Sequence, residues 1–159
     1  MIAIVKADLT RTEHAQALVQ LLNEYACDPM GGGVPLSEQV QKSLIGAMSS
    51  RPHLHSFIAY DAERPVGLMN TVEGFSTFSA KPLLNIHDVM VNRDYRGRGI
   101  AAQLFDAAEA FARSLGCCKM TLEVLEGNQP ARASYTRLGF KPYQLDPEAG
   151  VAQFWEKKI

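Results

Sequence analysis

Asn92-Arg93-Asp94-Tyr95-Arg96-Gly97-Arg98-Gly99-Ile100-Ala101 joins an apolar run at 83–91 to a regular helical pattern at 99–115. Glycine lets the backbone turn tightly and lets a ligand approach where a Cβ would stand in the way. The first N–H groups of the helix have no partner inside it and carry partial positive charge, so they suit an anion. Arg96 and Arg98 add full charges on either side. A diphosphate is the natural guest of Arg96, Gly97, Arg98, Gly99, Ile100 and Ala101.

Working outward, Ile100, Ala101, Leu104, Phe105, Ala108, Phe111, Ala112 and Leu115 share one helix face, and Gly116 stands where a C-terminal cap belongs. Upstream, 2–7 reads as a strand, and Ala15, Leu18, Val19, Leu22 and Tyr25 recur at helical spacing after Thr12. The loop 27–35 holds three consecutive glycines between two prolines. Ser37 opens a second helix through Val40, Leu44, Ile45 and Met48, closed near Arg51-Pro52. Strands follow at 54–60 and 66–73 as a hairpin, and at 83–91. After the long helix come a strand at 119–125, a short helix at 130–138 and closing strands at 140–144 and 151–157. The order βααβββαβαββ predicts an α/β sandwich on a mixed sheet, as a single domain over 1–159.

Sixteen Lys+Arg stand against seventeen Asp+Glu in 159 residues, a formal charge of -1. That balance argues against a surface built to coat nucleic acid or an anionic membrane. Apolar runs stay short of the roughly 18 residues that span a bilayer, and the start, Met1-Ile2-Ala3-Ile4-Val5-Lys6, lacks a basic leader. Cys27, Cys117 and Cys118 form no disulfide framework and suit a reducing compartment, so a cytoplasmic location is expected. Cys117 and Cys118 read as buried structural thiols. His53 and His55 share a strand face without further ligands at metal-binding spacing, so no metal is expected.

Two fingerprints compete for the glycine loop. Residues Gly97 to Ala102 satisfy the dinucleotide pattern G-x-G-x-x-G/A, with Glu123 placed to hold a ribose. Against a dinucleotide-dependent oxidoreductase, Asn92 to Arg96 separate strand from glycine, two helices precede the loop, and little chain follows it. The other pattern is Arg96-x-x-Gly99-x-Ala101. Together with Asn128-Gln129-Pro130-Ala131, Tyr135 and Leu138-Gly139-Phe140, it resembles the acyl-CoA-binding signature of the GNAT superfamily of N-acetyltransferases. The element order matches that family over essentially the whole chain.

The resemblance implies a GNAT-like, mostly antiparallel sheet with helices on both faces. It also implies an acetyl-CoA-dependent N-acetyltransferase whose acceptor amine attacks the thioester directly in a ternary complex. Pantetheine would pair with the backbone near Val89, Met90 and Val91, where a strand N–H would serve as an oxyanion donor. The diphosphate would rest on Arg96 to Ala101, and Asn128 would bind the pantetheine amides. Tyr135 would be the general acid that protonates the departing thiolate. The base is open between His87, Glu73, Asp88 and a water relay; alternation along a strand would let only one of His87 and Asp88 face the cleft. Ile86-His87-Asp88-Val89-Met90-Val91 is similar to diamine acetyltransferases, with His87 where many carry an acidic residue. The expected partner is a small-molecule amine, with acidic residues leaning toward a cationic one, and a homodimer is common among look-alikes. A CoA-binding sensor without turnover is the non-enzymatic alternative.

Overall fold

β4 (Lys81–Val91) is the strand on which the rest is organised. The computed structural model describes all residues 1–159. Five strands, β1 (Ile2–Lys6), β2 (Leu54–Asp61), β3 (Arg64–Ser76), β4 and β5 (Met120–Leu122), lie in sequence order across one sheet. The first four pair antiparallel and β5 joins β4 in parallel. Helices α1 (Thr12–Cys27), α2 (Glu38–Ser49), α3 (Ile100–Ser114) and α4 (Gln129–Arg137) complete the elements.

Strand alternation decides which helix covers which face. Ile58, Leu68 and Met90 form a core with Ala17, Leu18 and Leu21 of α1, and Leu44, Ile45 and Met48 of α2 pack against it. The residues between them point the other way. Phe57 meets Phe111 of α3 with ring centroids 5.8 Å apart, and a Cβ at Gly67 would stand 3.4 Å from Ile100. The mixed sheet is thus covered by α1 and α2 on one side and by α3 on the other, as expected from the sequence.

Two features of β4 depart from regular pairing. Between β3 and β4 the register slips: Asn70 faces Asp88 but Thr71 faces Ile86, so His87 is an extra residue in a β-bulge. Next to β5, pairing stops at Ile86 opposite Leu122. From His87 to Val91 the outer edge of β4 has no partner strand.

By its contacts the chain divides into two compact units, Met1–Leu122 and Glu123–Ile159. In the second, Asn128 caps α4 by accepting from the Ala131 N–H at 3.3 Å, with Pro130 in the first turn where no amide is needed. The strands expected at 140–144 and 151–157 are absent; a single bridge joins Gln144 to Val151. Pro142 removes a ladder donor, and Asp146 caps a 3-10 turn at Pro147–Ala149 that consumes the chain between the two segments. The final ββ of the expected order is therefore replaced by irregular chain.

Candidate functional site

The turn from β4 into α3 takes its shape from two residues in the left-handed region, Gly97 at φ 77° and Gly99 at φ 73°. A side chain on either is strained there. Nothing lies within 4 Å of a Cβ built on either, so the space in front of the loop is open. Gly99 caps α3 without a side-chain acceptor, leaving the Ile100, Ala101 and Ala102 amides without helical partners. Asn92 accepts from the Asp94 N–H at 3.1 Å and holds the start of the loop in a 3-10 turn.

The two arginines differ in what they do. Arg98 is exposed, donates to the Asp94 carbonyl at 2.8 Å and stacks over Tyr95 at 4.7 Å. Tyr95 in turn donates to Asp61 at 3.2 Å, which ties the loop to the β2–β3 turn. Arg96 donates through Nε to the Val91 carbonyl at 3.0 Å and pairs with Asp28 at 2.9 Å. Its guanidinium is thus a strut between β4 and the loop after α1, with the side chain still half exposed. The Arg96 hydrogen bond, with the Met30 amide next, holds the Asp28 carboxyl below its usual range. In the same loop, Gly31 is forced: a Cβ there would stand 2.0 Å from the Tyr25 carbonyl oxygen.

The base candidates fall on two faces. His87 is exposed at the bulge, and Asp88 is half buried beside it on the α1 side, in register with Asn70. Alternation does not separate these two, because the bulge breaks it. Asp88 accepts from Asn70 Nδ2 at 3.0 Å, and Asn70 Oδ1 accepts from Ser56 Oγ at 2.6 Å. Burial, followed by the charges of Asp88 and Asp28, pushes the Tyr25 phenol up. Nearby on α1, Glu24 accepts from Asn92 Nδ2 at 3.1 Å.

Glu73 lies on the opposite face. Its carboxylate is 3.6 Å from His55 Nε2, beyond hydrogen-bond length, and that nitrogen is buried without a partner. The His55 ring packs on Phe111 of α3 at 4.7 Å, and Lys6 Nζ stands 4.2 Å from the same Phe111 ring. Burial, then Lys6, pushes the His55 imidazole below its ordinary range, outweighing Glu73. The unfolded chain therefore binds this proton more readily, and stability falls as pH drops through the ordinary histidine range. Urea melts between about pH 7 and pH 5 should show a shallower loss for His55→Gln than for the wild type.

In the second unit, Tyr135 on α4 packs against Phe140 with ring centroids 6.2 Å apart. Of the three thiols, Cys27 and Cys118 are exposed and Cys117 is half buried, which corrects the expectation of two buried cysteines at 117 and 118. Burial, then Glu73, raises the Cys117 thiol, the wrong direction for a nucleophile. No group of three His, Cys, Asp or Glu side chains stands ready to hold a metal ion, and no helix is long and apolar enough to cross a membrane.

The sequence of residues 15–140 matches the acetyltransferase (GNAT) family. The chain belongs to that family. It is 25% identical over 130 residues to a thialysine N-epsilon-acetyltransferase of Caenorhabditis elegans, covering 80% of this chain and 78% of the relative. A probable acetyltransferase of known structure superposes with a TM-score of 0.80 at 23% identity, covering 99% of this chain and 97% of that one. An aminoglycoside N-acetyltransferase, AAC(6')-Iy in complex with CoA, superposes at 0.75 and 18% identity, covering 100% and 96%. As a GNAT member the protein is an acetyltransferase of the acetyl-CoA-using kind. Its glycine loop, unpaired β4 edge and open α3 amides fit a diphosphate carrying a long amide-bearing arm.

Proposed function

We propose that the protein is an N-acetyltransferase that transfers the acetyl group of acetyl-CoA directly to a small cationic amine within a ternary complex. The observation that carries this reading is the continuity of three anion- and amide-binding features on one short stretch. The outer edge of β4 has no partner strand along Val89, Met90 and Val91, with Arg96 Nε on the Val91 carbonyl; the two positive-φ glycines follow, and the uncapped amides of α3 come next.

Acetyl-CoA supplies the activated acyl group. The backbone of 89–91 aligns its amide-bearing arm, and the amides at 97–102 with Arg98 hold its diphosphate. Asn128 contacts the arm, as the family signature implies, besides capping α4. A primary amine with an ordinary lysine-like pKa near 10.4 arrives protonated and must lose a proton before it attacks. His87, exposed at the bulge, takes that proton, and Asp88 beside it attracts the ammonium. Glu73 is set aside, because it is turned toward His55 under α3. Tyr135 returns a proton to the leaving thiolate.

The cationic acceptor is supported by Asp88 and Glu24 on the α1 side, neither of them paired with a basic side chain, and by the thialysine acetyltransferase likeness. His87-Asp88 in place of an acidic pair points to an amine less highly charged than a polyamine. A cytoplasmic location and a homodimer belong to the same proposal, on the unpaired thiols and the family likeness.

Adding acetyl-CoA tests the reading without knowledge of the acceptor. At a hundred times its dissociation constant, a native-state ligand stabilises by about 2.7 kcal/mol, a melting rise of roughly 5–10 °C for a domain of this size. No rise with acetyl-CoA, but one with NAD, would reverse the assignment to the dinucleotide fingerprint.

A further inference from the structure

A row of three polar side chains crosses the middle of the sheet on its α1 face. Ser56 on β2, Asn70 on β3 and Asp88 on β4 are Cα partners in the two ladders, so their side chains are nearest neighbours. Ser56 and Asn70 are 4% and 7% exposed, on the sheet face where Ile58, Leu68 and Met90 are their buried neighbours along the three strands. Burying polar groups there costs stability unless every one is satisfied, and an apolar row would serve the core as well.

The hydrogen bonds run in one direction only. An ionised carboxylate accepts and cannot donate, so Asn70 must present its NH2 group to Asp88 and its carbonyl to Ser56. The Ser56 hydroxyl then has a single role, to donate to Asn70 Oδ1 and prevent the amide from turning over. The chain ends at Asp88, the one half-buried member, whose second oxygen accepts nothing from this row. The bulge at His87 is what keeps Asp88 in register with Asn70 while leaving His87 adjacent to it.

We infer that Asn70, locked by Ser56, is a positioning residue that aims the Asp88 carboxylate at the ammonium group of the acceptor; this rests on the acetyltransferase reading above. Asn70 touches neither acceptor nor acetyl-CoA, and its effect reaches the reaction through Asp88 alone.

The test is steady-state kinetics on the full chain with acetyl-CoA and three amines: thialysine, 1,4-diaminobutane and the aminoglycoside kanamycin. Loss of a hydrogen bond to a charged group in Asn70→Ala should raise KM for the accepted amine by about tenfold or more, with kcat within about threefold. Ser56→Ala should do the same to a lesser degree, and Ser56→Thr, which keeps a hydroxyl, should restore wild-type KM. KM for acetyl-CoA stays fixed throughout. Should Asn70→Ala fail to fold, the two Ser56 variants carry the comparison alone. Lower melting temperatures with unchanged amine KM would overturn the inference and leave the row a structural one. So would an acetyl-CoA KM that moves in parallel, or a Ser56→Thr variant no better than Ser56→Ala. If the wild type gains no stability from acetyl-CoA, or binds it and acetylates none of the three amines, the underlying reading fails and this inference goes with it.

Discussion

Replacing Tyr135 by phenylalanine should lower kcat by about a hundredfold or more, the usual worth of a positioned general acid, while the melting rise produced by acetyl-CoA is preserved. The reasoning is a proton balance. A thiolate leaving from CoA, with a conjugate-acid pKa close to the 8.5 of a cysteine, needs a donor, and a phenol near 10 is uphill by only about a unit and a half. Phenylalanine keeps the ring that packs against Phe140 and removes only the hydroxyl. The substitution therefore separates chemistry from packing. Single-turnover measurements at saturating acetyl-CoA are the direct reading. An unaltered rate would take Tyr135 out of the acid role, and a wild type that binds acetyl-CoA but turns nothing over would be a sensor and not an enzyme.

The second large effect is expected at the glycine loop. Gly99 holds φ 73° at the N-cap of α3, and a β-branched residue in that conformation is disfavoured by roughly 1–2 kcal/mol or more. Gly99→Val should escape by rotating the amides of Ile100 to Ala102 away from their common aim. Calorimetric titration should then show the dissociation constant for acetyl-CoA raised by about thirtyfold or more, the equivalent of losing one or two charge-assisted hydrogen bonds. Gly99→Ala should fall between the two, since alanine tolerates the left-handed region better than valine. Equal affinities in all three proteins would mean that the diphosphate is held elsewhere.

These effects attach to parts of the molecule that were legible in the sequence to different degrees. The strand–loop–helix join at 92–101 could be read directly, because the backbone preferences of Gly97 and Gly99 and the apolar stripe of α3 are local properties. The capping of α2 by Ser37 and of α4 by Asn128 could be read for the same reason. The bulge at His87 could not. A register slip belongs to two strands, and nothing in Ile86-His87-Asp88 announces that Asn70 and Thr71 will pair with residues two apart. With the bulge went the alternation rule that seemed to divide His87 from Asp88. The pairing of Arg96 is equally illegible in the sequence. Its guanidinium suits a phosphate on sequence grounds, but the carboxylate that engages it lies 68 residues away at Asp28.

Glu73 stands near a strand end, where the sequence makes it a base candidate, yet strand parity turns it under α3 toward His55. The apolar character of 140–144 and 151–157 predicts closing strands, but Pro142 and the Asp146 cap act locally against them. The Ser56–Asn70–Asp88 row did leave a signal: a serine and an asparagine in the middle of two apolar strand runs. That signal becomes informative only once register makes them neighbours.

The pairing of Arg96 with Asp28 bears on any attempt to redesign what this enzyme accepts. The segment 27–35 is glycine-rich and follows α1, so it is a tempting stretch to exchange for one from another acetyltransferase. A graft lacking a carboxylate at position 28 would release Arg96, and with it a fastener on the last carbonyl of β4. The transplanted loop would then alter affinity for the acyl donor even if no residue of it touched that donor. Such chimeras should be designed with the acid and the guanidinium carried together.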